Sequence, residues 1–207
     1  MRHLLAIMLL ILGVAAASAQ EGGSGAAERA TCGLTSAQAT GIGALRLGMT
    51  PEQVLALFPG SKEDPEVRSG LSKPASPYGE SGFQIKPGKY QSEGKFAGIS
   101  RIKFLLLDGR VSSFFISYDG PEWSHVDQFV AKVAEGAGLP AVDAWEAYVG
   151  LDTQLKILKC TDFEVRVFAG GQGGNLNYVL VSDLEAARAL QERRAKAKEK
   201  MRQEHKP

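Results

Sequence analysis

Residues 99–118, ISRIKFLLLDGRVSSFFISY, contain the pattern that decides the fold of this chain. Two runs rich in β-branched and aromatic residues flank Asp108-Gly109, a dipeptide that favours the two-residue turn of a β-hairpin. If the side chains alternate strictly between the two faces of the hairpin after this tight turn, one face is mostly apolar. The expected cross-strand pairs are Leu106 with Val111, Phe104 with Ser113 and Ile102 with Phe115.

Helix signals lie on both sides of this hairpin. Thr50 can cap a helix that begins at Pro51, and Gln53 stands at the position that completes a capping box. Residues 124–135 carry apolar side chains at helical spacing, with Ser124 as the expected cap. A further capping box at Ser182 predicts a helix that runs nearly to the end of the chain.

The arrangement of elements predicts an α+β fold. Strand-like runs at residues 155–160, 163–169 and 176–181 follow the second helix without a β-α-β rhythm. We therefore expect an antiparallel sheet with helices packed on one face. Because a capped helix precedes antiparallel strands twice, residues 41–120 and 121–187 are candidate halves of a tandem repeat.

Two segments depart from this regular pattern. Residues 61–98 are rich in Pro, Gly and Ser, which predicts a long irregular connection with a strand hint only at residues 83–85. Residues 188–207 form a charged tail, in which Lys and Arg outnumber Glu, and extend the last helix.

The first 19 residues predict export. Arg2 and His3 precede an apolar run at residues 4–16, and Ala17-Ser18-Ala19 is a small-residue cleavage site. The apolar run is too short to span a bilayer, which takes about 20 residues, and no second run reaches that length. We therefore expect cleavage after Ala19, a flexible leader at residues 20–31, an α+β domain at residues 32–187, and a periplasmic or secreted protein without a transmembrane segment.

Cys32 and Cys160 are the only two cysteines in the chain. In an oxidising compartment an even number of cysteines predicts a disulfide, with two unpaired thiols as the alternative. Removal of the signal, which contains Arg2, leaves the chain formally neutral. A neutral chain lacks the excess of Lys and Arg that nucleic-acid binding requires, so no nucleic-acid partner is expected.

Catalytic and metal-binding patterns are absent from the sequence. His125 and the nearby carboxylates Asp119, Glu122 and Asp127 could hold a metal, but turn and cap roles explain them better. The glycines of residues 169–175 do not match a phosphate-binding loop, and a strand follows them. No catalytic residue, metal ligand or cofactor site is therefore predicted, and an enzyme is less favoured than a binding protein.

Three aromatic residues are candidates for a binding surface. Trp123, Trp145 and Tyr148 cluster in the sequence near the second helix. Large aromatic side chains often anchor protein interfaces. The alternative is that they cover the core beside that helix.

Residues 47–54, LGMTPEQV, resemble the opening of the SmpA/OmlA-type modules, which occur in an outer-membrane assembly lipoprotein and in β-lactamase-inhibitor-protein-like domains. Gly138-Leu139-Pro140 is similar to the Gly-x-Pro stop of those modules, whereas Pro59-Gly60 replaces it in the first half. The resemblance implies helices on an antiparallel sheet and a non-catalytic binding module outside the cytoplasm. The chain departs from the family in lacking a lipid-acceptor cysteine after Ala19 and in its long connection at residues 61–98.

These observations together predict an exported, non-catalytic module that binds a protein partner in a bacterial cell envelope. An extracytoplasmic hydrolase that uses carboxylates in a cleft is the alternative, because the spacing of such carboxylates cannot be read from a sequence. A third interpretation is a structural envelope protein whose basic tail binds polyanions. The oligomeric state is left open.

Overall fold

Within the described part of the chain, seven strands form one antiparallel sheet. The structure, a computed structural model, describes residues 32–39, 41–90, 94–120, 123, 125–148, 154–170 and 176–204. The strands are β1 (Glu80–Ile85), β2 (Ile99–Leu107), β3 (Arg110–Tyr118), β4 (Glu146–Ala147), β5 (Leu155–Lys159), β6 (Phe163–Gly170) and β7 (Leu176–Asp183). The helices are α1 (Pro51–Leu55), α2 (Pro65–Leu71), α3 (Val126–Ala137) and α4 (Leu184–Glu204). The α+β fold is therefore confirmed.

The sheet consists of two meanders that meet at its centre. Strands β1 to β3 form the first meander and β4 to β7 the second, and the last strand of each, β3 and β7, pair antiparallel. Helices α1 and α2 precede the first meander and α3 precedes the second. The same order, helix and then meander, thus occurs in both parts of the chain, and the tandem repeat stays a prediction.

The β2–β3 hairpin is confirmed, but its predicted register is correct only next to the turn. Asp108 and Gly109 have φ of 51° and 79°, as a two-residue turn of this type requires. Leu106 pairs with Val111 as expected, and Ser112 then forms a β-bulge whose hydroxyl donates to Leu105 O at 3.2 Å. The actual pairs beyond it are Phe104 with Phe114 and Ile102 with Ile116, instead of Ser113 and Phe115.

This extra residue exchanges the two faces of β3. Phe114 and Ile116 point into the core, whereas Phe115, which alternation alone placed with the core residues, points to the opposite face. A second irregularity at Ser100 restores the buried position of Ile99, and the Ser100 hydroxyl donates to Ser117 O at 3.2 Å.

One hydrophobic core lies between the sheet and the helices. Side chains of α1 and α3 pack against the buried face of both meanders, so the two parts of the chain share a single cluster. Its largest fully buried members include Phe58, Phe104, Phe114, Phe163, Ile102, Ile116 and Leu158. Burial of a side chain of this size contributes about 1.5–3 kcal/mol relative to exposure.

The caps of the helices are partly as predicted. Thr50 and Gln53 form the expected capping box, with the Thr50 N–H donating to Gln53 Oε1 at 2.8 Å. The cap of α4 is Asp183, the last residue of β7, instead of Ser182, because the Asp183 carboxylate accepts the N–H groups of Glu185 and Ala186 at 2.8 and 2.9 Å. Helix α3 begins at Val126 after His125, and the predicted cap Ser124 lies outside the described residues.

The prediction of an irregular connection at residues 61–98 is wrong. This segment contains α2, β1 and two 3-10 turns, at Ser61–Glu63 and Pro87–Lys89. Asp64 caps α2 by accepting the Glu66 N–H at 2.7 Å, and Pro65 occupies the first helical position. The strand hint at residues 83–85 corresponds to the second half of β1.

Helix α4 crosses the ends of the strands after β7. Arg193 donates to both carboxylate oxygens of Asp108, at 2.9 and 2.6 Å, and to Tyr78 O at 2.9 Å. Arg194 pairs with Glu80 at 2.6 Å and lies over the ring of Tyr78. The long C-terminal helix is therefore attached to the β2–β3 turn and to β1. None of the described helices is both long and apolar enough to cross a bilayer.

The predicted disulfide joins the start of the described chain to the β5–β6 turn. Cys32 and Cys160 are bonded, with their Cα atoms 4.5 Å apart and a sequence separation of 128. Both residues are buried, and the Cys32 N–H donates to Lys159 O at 2.9 Å. A cross-link over a loop of this length restricts the unfolded chain strongly.

Replacement of both cysteines by serine should lower the free energy of unfolding by about 4–5 kcal/mol, because the long loop gains freedom in the unfolded state. Urea unfolding followed by circular dichroism measures this loss. Reducing agent should lower the midpoint of the native chain toward that of the variant and leave the variant unchanged. Equal midpoints for the oxidised native chain and the variant would contradict the structural role of the bond.

Candidate binding surface: the outer face of the sheet

Alternate side chains of the sheet point away from the core and form what we call the outer face. The register of the strands identifies its members, because successive side chains point to opposite sides. None of its apolar members belongs to the core cluster of the described residues. The outer face comprises Gly82, Gln84, Arg101, Lys103, Leu105, Phe115, Ser117, Leu176, Tyr178, Leu180, Glu164, Arg166, Phe168, Leu155 and Ile157.

Three stacked aromatic rings cross the centre of the outer face. Phe115 of β3 and Tyr178 of β7 have ring centroids 4.7 Å apart, and Tyr178 and Phe168 of β6 have centroids 5.1 Å apart. Tyr178 is therefore covered on both faces of its ring. Phe168 is buried, whereas Phe115 and Tyr178 are partly exposed, so these two rings are the part of the stack that an incoming molecule can contact.

Exposed apolar side chains surround this stack. Leu105 is 53% exposed, Leu176 is 50% exposed and Tyr148, just beyond β4, is 52% exposed. The Tyr148 N–H donates to Leu155 O at 3.0 Å, which extends the β4–β5 pairing and places Tyr148 beside the outer face. Among the described residues, only Met201 on α4 is a further large hydrophobic side chain with this exposure. Such a grouping of apolar side chains indicates an interaction surface.

Within the described residues, the charged side chains of β6 on the outer face form an ion pair, whereas those of β2 do not. Glu164 and Arg166 on β6 form an ion pair at 2.5 Å, with Glu164 largely buried. Within the described ranges Arg101 and Lys103 on β2 have no ion-pair partner, and Arg101 Nε lacks a hydrogen-bond acceptor although it is buried. The β2 side of the outer face therefore carries positive charge that the rest of the described chain does not neutralise.

A groove of about 510 Å³ lies where the outer face meets α2. Its floor is formed by β1 and β2, including Gly82, Lys103 and Leu105, and its wall by α2, including Glu66 and Gly70. A Cβ at Gly70 would lie 2.9 Å from Phe83 Cβ, so this glycine lets the helix approach the strand. A Cβ at Gly82 would lie 2.6 Å from Phe104 O, so the floor carries no side chain there.

Two carboxylates hold α2 in position beside β1. Asp64 accepts hydrogen bonds from Tyr90 Oη at 2.7 Å and from Lys89 Nζ at 3.0 Å, and these donors keep the pKa of its carboxyl well below the usual range. Glu66 accepts from Lys86 Nζ at 3.0 Å and from the Gln84 amide, which lowers the pKa of Glu66. Burial, with the Asp64 contact, raises the pKa of Tyr90.

The structure does not bring the three predicted aromatic residues together. Tyr148 borders the outer face, whereas Trp145 is only 4% exposed and donates from Nε1 to Pro140 O at 3.0 Å. Trp123 stacks on Phe129 at 5.5 Å, at a cavity of about 270 Å³ on the helix side of the sheet. Burial raises the pKa of Tyr118, which also lines this cavity, to about 12.

Sequence reasoning missed the aromatic stack. For Phe168 and Tyr178 a signal exists, because both stand at positions where the alternation of their strands predicts a solvent-facing residue. Phe168 lies two positions after Arg166 and four after Glu164, so alternation places it on the same side of β6 as these two charged residues. For Phe115 no such signal exists. The bulge at Ser112 shifts the alternation of β3, and the sequence does not tell whether Phe114 or Phe115 faces the core.

Within the described ranges no group of three or more His, Cys, Asp or Glu side chains could hold a metal ion. Asp127 of the considered metal constellation pairs with Lys156 at 3.0 Å, and Glu122 lies outside the described residues. Among the described residues that line the groove, Glu66 is the one carboxylate, and Lys86 and Gln84 already engage it.

The cluster around Asp64 predicts an acid-sensitive region. The pKa of Asp64 is lower in the folded chain than the unfolded value of about 3.9, so its ionised form stabilises the fold above about pH 4. That stabilisation is lost as the pH falls through the folded pKa. Asp64→Asn should therefore lower the stability at pH 6 and reduce its decline below pH 4.

Urea midpoints between pH 2 and pH 6 measure this effect. Asp143→Asn is the control, because Asp143 is an exposed carboxylate on the 3-10 turn Val142–Ala144, away from α2. It should reproduce the pH dependence of the native chain. An Asp64→Asn profile parallel to that of the native chain would refute the role assigned to this carboxylate.

No protein-family model matches this chain, and no curated protein sequence or solved structure matches it either. The resemblance of residues 47–54 to the SmpA/OmlA-type modules therefore stays a prediction. Function has to be inferred from the outer face, the groove and the charges described above.

Proposed function

We propose that this chain is an exported, non-catalytic binding module that holds a protein partner of the bacterial cell envelope on its outer face. The observation that carries the proposal is the position of Leu105, Leu176 and Tyr148. These exposed apolar side chains lie on or beside the face that the described helices leave unpacked, around a preformed aromatic stack. Interfaces bury such anchors at their centre and keep charges at the rim.

The aromatic stack favours a protein over a polysaccharide or a nucleic acid. Sugars and bases stack on open ring faces. The central ring, Tyr178, is covered on one side by Phe115 and on the other by Phe168. The partly exposed rings of Phe115 and Tyr178 and the exposed leucine side chains fit the aliphatic and aromatic side chains of another protein.

Export places this surface in the cell envelope. The predicted signal at residues 1–19 lies outside the described residues, and the buried Cys32–Cys160 disulfide is compatible with an oxidising compartment. Cleavage after Ala19 would leave a periplasmic or secreted chain. The hydrolase alternative lacks a specific observation in its favour, because the carboxylate of the groove is already engaged.

Substitution of the exposed leucines tests the proposal. Leu105→Asp and Leu176→Asp should each reduce capture of the envelope partner at least tenfold, because a carboxylate would replace an apolar contact. Both side chains are exposed, so the free energy of unfolding should change by only about 0.5 kcal/mol. Quantitative recovery after crosslinking in envelope extracts measures capture, and circular dichroism measures folding.

Met201→Asp is the matched control, since Met201 is equally exposed but lies on α4. It should retain capture of the same partner. Unchanged capture by both leucine variants, or equal loss with Met201→Asp, would reject the outer face as the interface.

A further inference from the structure

We infer that the groove between α2 and the β1–β2 side of the outer face binds an acidic, extended segment of the partner. Carboxylates of this segment would pair with Lys73 and Lys103, and an apolar side chain would contact Leu105. The inference rests on the proposed function and specifies the chemistry of the partner.

The shape of the groove suits an extended segment. Its volume of about 510 Å³ falls within the range of 300–1,000 Å³ typical of ligand-binding clefts. Gly82 carries no side chain, and a Cβ there would lie 2.6 Å from Phe104 O and 3.4 Å from Leu105 Cδ2, so the floor at this position is backbone with Leu105 beside it. The contacts of Asp64 and Glu66 keep the α2 wall in place.

The charge of the groove selects acidic groups. Lys73 and Lys103 line it, and the described chain supplies no ion-pair partner to either. The one carboxylate among the described lining residues, Glu66, accepts from Lys86 and Gln84 and pairs with Lys89 at 3.5 Å. Arg101 lies two residues before Lys103 on the same side of β2, and the described chain supplies no ion-pair partner to it either. Positive charge therefore exceeds negative charge around the open part of the groove.

The spacing along β2 predicts an alternating pattern in the bound segment. Lys103 and Leu105 are neighbours on the outer face, about 7 Å apart along the strand. An extended peptide repeats its side chains on one side at the same distance. An acidic residue two positions from an apolar residue would thus meet Lys103 and Leu105 together. A small inorganic anion would use the lysines but leave Leu105 exposed.

Selection from a phage-displayed library of random 12-residue peptides tests this inference. The bait is the protein purified from the periplasm after expression from its full coding sequence. Enriched peptides should contain acidic residues two positions from apolar ones. Synthetic copies should bind at least tenfold more weakly to Lys73→Glu/Lys103→Glu, and their affinity for the native chain should fall at least threefold between 50 and 300 mM salt.

The control variant is Lys196→Glu/Lys198→Glu, which makes the same change of net charge on exposed positions of α4. It should bind the peptides within twofold of the native chain. Equal weakening by both double variants would show a general charge effect and overturn the inference. Absence of enrichment, or enrichment of peptides without acidic residues, would also overturn it.

The outcomes separate this inference from the proposed function. The library could instead enrich apolar peptides without acidic residues, and Leu105→Asp and Leu176→Asp could abolish their binding. This result would reject the acidic segment and keep the outer face as a binding surface. Acidic peptides that depend on Lys73 and Lys103, together with envelope capture that Leu105→Asp weakens and Leu176→Asp leaves unchanged, would keep the groove and reject the wider surface.

Discussion

The β-bulge at Ser112 is the constraint on which both faces of the sheet depend. By inserting one residue after Val111, it turns Phe114 and Ile116 toward the core and Phe115 toward the outer face. The β3–β7 pairing then sets Phe115 next to Tyr178, and the β6–β7 pairing adds Phe168. Without the bulge, Phe115 would compete for the core position and the aromatic stack would lose its first ring.

Local signals in the sequence account for much of the fold. Three predicted features are present in the structure. The Asp108-Gly109 turn and the Thr50 capping box follow from the chemistry of neighbouring residues, and the Cys32–Cys160 disulfide follows from the even number of cysteines. The α+β arrangement follows from the order of these elements. The site was harder to predict, because the face that a strand residue occupies depends on bulges, and these form through contacts with the partner strand.

The segment at residues 61–98 shows why composition alone misleads. Its prolines and glycines suggested an irregular connection, yet Pro65 starts α2, and Gly70 and Gly82 bring that helix and β2 close to β1. The same glycines keep the groove open, and the ion pairs of Asp64 and Glu66 fix its wall. The prolines and glycines that suggested an irregular segment thus shape the groove beside α2.

Site-specific photo-crosslinking in living cells tests whether the outer face is the interface with the partner. Benzoylphenylalanine would be placed at Leu105, Leu176 or Tyr148 on and beside the outer face, and at Met201 on α4. Binding on the outer face predicts one shared protein adduct from the first three positions and none of that adduct from position 201. The same adduct from position 201 at equal yield, or no adduct from the outer face, would contradict it.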